Sequence, residues 1–366
     1  QTCALPISKT IKGSPYLKVS GKDGTVIKDF VYSKDFKEDM VNFRTNHLSF
    51  NKSNITSISS LYIKVSTASG PFILFVPPNN NLSFRSSFIN ESKYSMYIMV
   101  TKVALAKLKT LIANNNTVDC FIPYKVSEAS IHNVMGYLKG TDTTSSPIIV
   151  SAHFDHIGTD LNNTIYNGAL DNASGISFML EMSKYLTSLG KPTRSILFIG
   201  FNAEEFGCLG STAFITKYKG DINESKVFNF DMIGSNNPVP LCIMGGKEDT
   251  VKTPFIKSVS DTCKNENIFF DYLFEDASDH EGFRKQDIDA ITFCDNDMLR
   301  IHTPKDTYDH ISLTAIENCY DVASKEIVKC TFKDNFIILY YKECFLISIA
   351  GILICSLFYK KGNKTI

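Results

Sequence analysis

The chain has 366 residues, with 38 basic and 38 acidic side chains and an apolar content of 43%. This length is enough for one large domain with an insert, and the apolar content predicts a packed globular protein. The balanced charge excludes the broadly basic surface of a general nucleic-acid binder, so no nucleic-acid partner is expected.

The first residues do not read as the start of a natural protein. Residues 1–7 (QTCALPI) look like a translated sequencing adapter, so we expect the true N-terminus, and any signal peptide with it, to be missing. Residues 8–45 are mixed and polar, and the cluster GKDG at residues 21–24 predicts a hairpin turn. We interpret residues 8–45 as the truncated N-terminal part of the main domain.

The sequence pattern changes at about residue 46, and the new pattern continues to residue 125. Short runs rich in β-branched and aromatic residues alternate with clusters of turn residues. A single helix is predicted over residues 102–114, because Leu105, Leu108 and Ile112 fall on one helical face. Residues 46–125 are therefore predicted to form a small β-rich insert.

Residues 126–332 show apolar strands and helices that alternate at βαβ spacing. The predicted strands cover residues 148–151, 195–201 and 227–231, and the predicted helices between them cover residues 175–189 and about 207–217. This alternation predicts an α/β fold with a mostly parallel central sheet flanked by helices on both faces. An edge strand is expected within residues 130–140.

Polar side chains follow three of these predicted strands. His153 and Asp155 come after the run IIVSA, Glu204 and Glu205 after SILFIGF, and Asp231 directly after VFNF. In an open α/β sheet, the chemistry is found at the carboxyl ends of the strands. We therefore expect these side chains to meet at one edge of the sheet.

Two further residues complete the set of candidate metal ligands. Asp171 lies in the Gly-rich turn NGALDNASG, and His302 stands just before Pro304. Imidazole and carboxylate suit zinc, and carboxylate also suits harder cations. Two histidines and three carboxylates are too many for one tetrahedral zinc, but they fit two metals that share a bridging carboxylate.

The motifs that carry these residues resemble the di-zinc aminopeptidase family. This superfamily includes bacterial leucyl aminopeptidases, glutamate carboxypeptidase II and transferrin receptor. The resemblance covers about residues 133–320, where the motifs SAHFDH, NGALDNASG, NAEEFGCLGS, FNFDMIG, SDHEGF and IHTPKDT follow in the family's order. It implies the zinc-exopeptidase fold, and residues 46–125 loosely resemble the protease-associated domain that shapes substrate access in many members.

The resemblance also implies a role for each candidate residue. It implies two Zn²⁺ per chain, with His153 and Asp231 on one, Glu205 and His302 on the other, and Asp171 bridging both. Glu204 would be the general base, and Asp155 would orient the imidazole of His153. The neighbouring His156 is interpreted as a loop residue near the rim of the site.

The function implied by the resemblance is that of an exopeptidase. The favoured hypothesis is an aminopeptidase that removes N-terminal residues from peptides with a metal-activated water. The alternatives are a carboxypeptidase of the glutamate carboxypeptidase type, a single-zinc glutaminyl cyclase, and a non-catalytic receptor or scaffold on the same fold. The presence of His153 and Asp231 favours a two-metal peptidase over the single-zinc cyclase. The choice between aminopeptidase and carboxypeptidase stays open, as does the oligomeric state.

The C-terminal residues predict a membrane anchor. Residues 344–359 carry no charge, and adding the apolar residues upstream reaches the ~20 residues of a spanning helix if Lys342 and Glu343 are tolerated. Lysines follow directly, which predicts a cytoplasmic tail. We therefore predict a single transmembrane helix over residues 336–359, a basic cytoplasmic tail over residues 360–366, and a catalytic domain that is extracellular or lumenal.

Overall fold

The structure is a computed structural model that describes residues 2–39, 44–88 and 92–362. The strands of this part of the chain are β1 Thr2–Thr10, β2 Tyr16–Ser20, β3 Val26–Phe30, β4 Phe36–Glu38, β5 His47–Phe50, β6 Ile55–Ile58, β7 Tyr62–Thr67, β8 Gly70–Phe75, β9 Met96–Val100, β10 Thr117–Phe121, β11 Tyr124–His132, β12 Val134–Leu138, β13 Ile148–His153, β14 Ile196–Phe201, β15 Lys226–Phe230, β16 Leu241–Gly245, β17 Phe270–Phe274 and β18 Asp289–Asp295. The helices are α1 Lys102–Ala113, α2 Gly175–Ser188, α3 Leu209–Ile222, α4 Pro254–Asn265, α5 His280–Arg284, α6 Leu313–Thr331, α7 Phe336–Leu339 and α8 Tyr341–Gly362.

The central sheet has seven strands in the order β12-β14-β13-β15-β18-β16-β17. The pairs β14–β13, β13–β15, β15–β18 and β16–β17 are parallel. The pairs β12–β14 and β18–β16 are antiparallel. The prediction of an α/β fold is confirmed, and the sheet is mixed, because residue periodicity predicts the type of an element but not the direction in which it joins a sheet.

Helices cover both faces of this sheet. On β13, Ile148 and Val150 pack in a core shared with α2, α4 and α6, whereas Ile149 packs on the opposite side with α3 and α5. Successive side chains of a strand point to opposite faces, so a strand buried on both faces needs the continuous apolar run seen in the sequence. This packing fixes the carboxyl ends of β13, β14 and β15 side by side.

The β-rich part of the chain forms two small sheets with the orders β3-β2-β10-β5 and β4-β9-β8-β7-β6. Both pack with α1 around one apolar core, which also takes in Ile157 and Tyr166 from the loop after β13. A buried ion pair reinforces this contact, with Lys37 Nζ 2.6 Å from Asp160 Oδ2. The insert is thus packed against a loop that begins at the end of a central strand.

Most of the N-terminal strands belong to these small sheets, whereas β1 forms a separate two-stranded sheet. Strand β2, from the predicted N-terminal part 8–45, pairs with β10, and β3 pairs with β2, so residue 45 does not mark a change of sheet. Strand β1, which includes most of residues 1–7, pairs antiparallel with β11. The domain boundaries and the adapter interpretation stay predictions.

The C-terminal residues form two helices, α7 and α8, that are separated by a break at Tyr340. Within the described ranges, no helix combines the length and apolar character needed to cross a membrane. The predicted transmembrane helix over residues 336–359 is therefore not found. Residues 363–366 of the predicted basic tail lie outside the described residues.

The central core predicts a large stability effect for Phe228. This side chain of β15 is fully buried, and its ring centroid lies 5.1 Å from that of Phe255 on α4. We expect Phe228→Ala to lower the free energy of unfolding by about 3–5 kcal/mol, because it leaves a cavity between sheet and helix. Phe269→Ala is the matched control, since Phe269 is 80% exposed and should change stability by less than about 0.5 kcal/mol. Urea unfolding measures both, and similar losses for the two variants would contradict the described packing.

Candidate metal centre

The first group of possible ligands lies at the ends of β13 and β15. His153 is the last residue of β13, and Asp231 follows the last residue of β15, its neighbour in the sheet. His153 Nε2 lies 3.2 Å from Asp231 Oδ1 and 3.4 Å from Asp171 Oδ1. All three residues are buried. The structure thus brings together one imidazole and two carboxylates that the sequence predicted as ligands.

The second group includes the other carboxylate oxygen of Asp171. His302 Nε2 lies 3.2 Å from Asp171 Oδ2 and 3.1 Å from Glu205 Oε2. Glu205 follows β14, on the other side of β13 from Asp231. The two oxygens of Asp171 therefore face two different groups of candidate ligands.

The spacing of these atoms fits zinc. Tetrahedral zinc with bonds of about 2.0–2.1 Å places neighbouring ligand atoms roughly 3.3–3.4 Å apart. The four distances from an imidazole nitrogen to a carboxylate oxygen in the two groups are 3.1–3.4 Å. Nitrogen and oxygen donors at this spacing suit zinc, and either group could hold one ion.

His156 also belongs to this centre, so its interpretation as a rim residue is wrong. Its side chain is 11% exposed, and its Nδ1 lies 2.9 Å from Glu205 Oε1 and 3.9 Å from Asp171 Oδ2. The turn before Asp171 encloses the ring. Gly168 has φ +60° there, and a Cβ at this position would come within 2.6 Å of the imidazole. His156, Asp171 and Glu205 together could also hold a metal ion.

Asp155 supports the centre from behind. Its carboxylate accepts the backbone N–H groups of Glu204 and Glu205 at 3.0 and 3.2 Å. His153 Nδ1 lies 3.2 Å from the carbonyl oxygen of Asp155 and 3.7 Å from its carboxylate. Asp155 therefore links the end of β13 to the glutamate pair after β14. It also faces the imidazole of His153, which the resemblance implies that it orients.

The charges of the centre are unbalanced. Burial raises the pKa of Glu204 well above its ordinary value, and the nearby carboxylates of Asp231 and Glu205 raise it further against the opposing effect of His153. Burial alone would lower the pKa of His302, but hydrogen bonds to the two carboxylates that face it outweigh burial and raise the pKa to about 11. Carboxylates outnumber imidazoles, so the centre is suited to cations.

Two further residues support the centre: Ser278, for which the motif SDHEGF implies a support role, and Asp306, which was not named from the sequence. Asp306 accepts the backbone N–H groups of Leu170 and Asp171 at 2.8 and 3.0 Å, and Ser278 donates its hydroxyl to Asp231 Oδ2 at 2.7 Å. Both lie within motifs of the resemblance, IHTPKDT and SDHEGF. Those motifs were the available signal, but a motif does not state which backbone groups a side chain will bind.

The model of peptidase family M28 matches residues 133–327, which is more than half of the chain. The chain belongs to peptidase family M28. The matched residues of this M28 chain include both groups of possible ligands, from His153 to His302.

Curated relatives match parts of this M28 chain. Aminopeptidase YwaD of Bacillus subtilis is 29% identical over 219 residues, which are 56% of this chain and 45% of the relative. A glutamate carboxypeptidase 2 homolog of Caenorhabditis elegans is 32% identical over 113 residues, which are 29% of this chain and 14% of the relative. The chain thus spans less than half of the length of either relative.

Solved structures share the fold over most of the chain. A zinc aminopeptidase from Bacillus subtilis has a TM-score of 0.64 and 18% identity, and covers 91% of this chain and 86% of its own. An aminopeptidase from Aneurinibacillus sp. strain AM-1 has a TM-score of 0.62 and 19% identity, and the match covers 90% of this chain and 84% of that aminopeptidase. At this identity the likeness supports the fold of this M28 chain.

The contacts of Asp306 predict weaker metal binding when its charge is removed. An amide at this position can accept only one of the two N–H groups that the carboxylate accepts, which loosens the turn that presents Asp171. We expect Asp306→Asn to raise the zinc dissociation constant by about 10-fold or more. Asp309→Asn, an exposed aspartate three residues later, should leave it unchanged. Competition with a chromophoric chelator measures both, and equal constants would contradict the proposed support.

The raised pKa of His302 predicts how stability of the zinc-stripped chain depends on pH. In the native state the pKa of His302 is raised to about 11, whereas in the unfolded chain a histidine has a pKa of about 6.5. The native state thus binds more protons in this window, so stability should fall as pH rises, by up to about 1.4 kcal/mol per pH unit. Urea unfolding between pH 7 and 9 should show a shallower fall for His302→Gln. His47 is half-exposed, so the control variant His47→Gln should retain the wild-type slope. An unchanged slope in His302→Gln would contradict the raised pKa of His302.

Proposed function

We propose that the chain is a di-zinc exopeptidase, and that it acts as an aminopeptidase on peptides. The observation that carries this proposal is the position of Asp171, whose two oxygens face the two groups at 3.4 and 3.2 Å. The similarity to aminopeptidase YwaD over 219 residues supports the choice of an aminopeptidase.

The proposed ligands divide as the geometry groups them. The first zinc would be held by His153, Asp171 and Asp231, and the second by Asp171, Glu205 and His302. When bound, the metal pair supplies Lewis acidity, which polarises a peptide carbonyl and makes a water molecule acidic enough to attack near neutral pH.

Glu204 is the proposed general base. Its Oε2 lies 4.0 Å from His153 Nε2, close to the first group, while its neighbour Glu205 faces the second group. A raised pKa brings this carboxyl nearer to neutral, where a group that both accepts and returns a proton works best. Glu204 would take the proton of the attacking water and donate it to the leaving amine. The carboxylate of Asp155 accepts the backbone N–H of Glu204 and would hold Glu204 in place.

A carboxypeptidase is the alternative proposal, because a glutamate carboxypeptidase 2 homolog is 32% identical over 113 residues. The proposed metal pair and general base serve either reaction, since both hydrolyse a peptide bond. The two activities differ in whether the free amine or the free carboxylate of the substrate must be recognised.

Substitution of Glu204 tests the proposed chemistry. We expect Glu204→Gln to lower kcat by about 10²–10⁴-fold while zinc binding is retained, because the amide cannot accept the proton. Glu248→Gln, at an exposed glutamate, should keep wild-type activity. The substrates are aminoacyl-nitroanilides, N-blocked dipeptides with a free C-terminus, and glutaminyl peptides, each assayed with and without a chelator.

The pattern of turnover separates the hypotheses. Cleavage of the nitroanilides supports the aminopeptidase, and cleavage of only the blocked dipeptides replaces it with the carboxypeptidase. Cyclisation of glutaminyl peptides with one bound zinc indicates the cyclase. A folded chain that binds zinc and turns over none of these substrates would overturn the enzymatic proposal.

A further inference from the structure

A short segment of the β-rich insert, residues 84–88, lies directly against the candidate metal centre. It contacts His302 and Glu205, the two ligands of the proposed second zinc that do not bridge. The contacts come from both backbone and side chains, and the partners lie far away in sequence, 217 residues for one pair and 118 for another. The insert resembles a domain that shapes substrate access, but this segment reaches behind the ligands themselves.

The segment determines which nitrogen of His302 faces the centre. His302 Nδ1 lies 2.9 Å from the carbonyl oxygen of Arg85, and the N–H of Arg85 donates to the carbonyl oxygen of His302 at 3.1 Å. A carbonyl oxygen can only accept a hydrogen bond, so Nδ1 must carry a proton, and Nε2 is left to bind metal. The ring of Phe84 stacks on the imidazole, with centroids 6.0 Å apart and planes inclined by 24°.

The same segment also holds Glu205. The hydroxyl of Ser87 donates to Glu205 Oε2 at 3.1 Å, the same oxygen that faces His302. The N–H of Phe88 donates to the carbonyl oxygen of Glu205 at 2.6 Å. The ring of Phe88 stacks on that of Phe206 with centroids 3.9 Å apart and planes inclined by 5°. Glu205 is therefore fixed on its side chain and its backbone by two adjacent residues of the insert.

The segment is itself firmly anchored by residues outside the insert. Ser86 donates its N–H and its hydroxyl to the carboxylate of Asp39 at 2.7 and 2.8 Å. The side chain of Arg85 is fully buried, 3.4 Å from Glu38 and 5.1 Å from the ring centroid of Tyr166. A buried charge held in this way resists displacement, because moving one partner leaves the other unpaired. The segment can thus serve as a rigid support.

We propose that residues 84–88 of the insert are positioning residues for one of the two zinc ions. Ser87 orients the Glu205 carboxylate and the Arg85 carbonyl orients the His302 imidazole, so the insert sets the affinity of the zinc that these two ligands share with Asp171. This inference rests on the proposed di-zinc centre and adds to it a selective contribution from the insert. Partners placed behind metal ligands in this way change affinity by about 10–100-fold when they are lost.

The test uses the full chain and compares two serines, one within residues 84–88 and one just before them. Ser87→Ala removes the hydroxyl bonded to Glu205, whereas Ser83→Ala changes an exposed serine four residues earlier, outside residues 84–88. Zinc is titrated against a chromophoric chelator, which yields a dissociation constant for each of two sites. We expect Ser87→Ala to weaken one site by about 10-fold and to leave the other unchanged. Ser87→Thr keeps the hydroxyl and should restore wild-type binding.

The outcomes separate this inference from the proposed function. Ser83→Ala should leave both constants at their wild-type values, and thermal unfolding of the zinc-free variants should confirm that each is folded. If Ser87→Ala binds both zinc ions like the wild type, or if the two alanine variants weaken both sites alike, the positioning role is overturned. A wild-type chain that is folded but binds no zinc overturns the proposed function instead.

Discussion

The rest of the site depends on one electrostatic constraint, the convergence of buried carboxylates at the ends of adjacent strands. Glu204 and Glu205 follow β14, Asp231 follows β15, and Asp171 enters from the turn between β13 and α2. Groups of this kind lose hydration when they are buried, so they require positive charge or hydrogen-bond donors close by. In the protein, two imidazoles and several backbone N–H groups lie close to these carboxylates and meet part of this requirement. The raised pKa of His302 and the contacts of Asp155 and Asp306 are consequences of it.

The two parts of the chain are coupled through this centre. The core of the β-rich insert includes Ile157 and Tyr166, which belong to the loop that follows His153. In the other direction, residues 84–88 of the insert lie against ligands that follow β14 and β18. Because each part supplies packing or hydrogen bonds to the other, the insert and the central sheet form a continuous structure around the centre. A change in the insert can therefore reach the ligands without any contact with substrate.

Local sequence patterns predicted most elements well. The helix expected over residues 102–114 is α1, and the strand expected at residues 195–201 is β14, because helical and strand periodicity follow from which residues are buried. The patterns were less informative where neighbouring strands decide which sheet a strand joins and in which direction. The sheet is mixed because the direction of β12 and β16 depends on their neighbours. Strands β2 and β3 lie in the insert's sheet because β2 pairs with β10 and β3 pairs with β2.

The sequence by itself determined the kind of chemistry, since the residues that carry it stand at strand ends and within motifs that keep a fixed order. His153, Asp171, Glu205, Asp231 and His302 were all named from it, and the structure brings them together. Only the tertiary structure decided what stands behind them. His156 packs against Glu205, and Arg85 and Ser87 reach the ligands from more than a hundred residues away. The physical reason is that hydrogen bonds of this kind depend on the distances between elements, which no local pattern of residues contains.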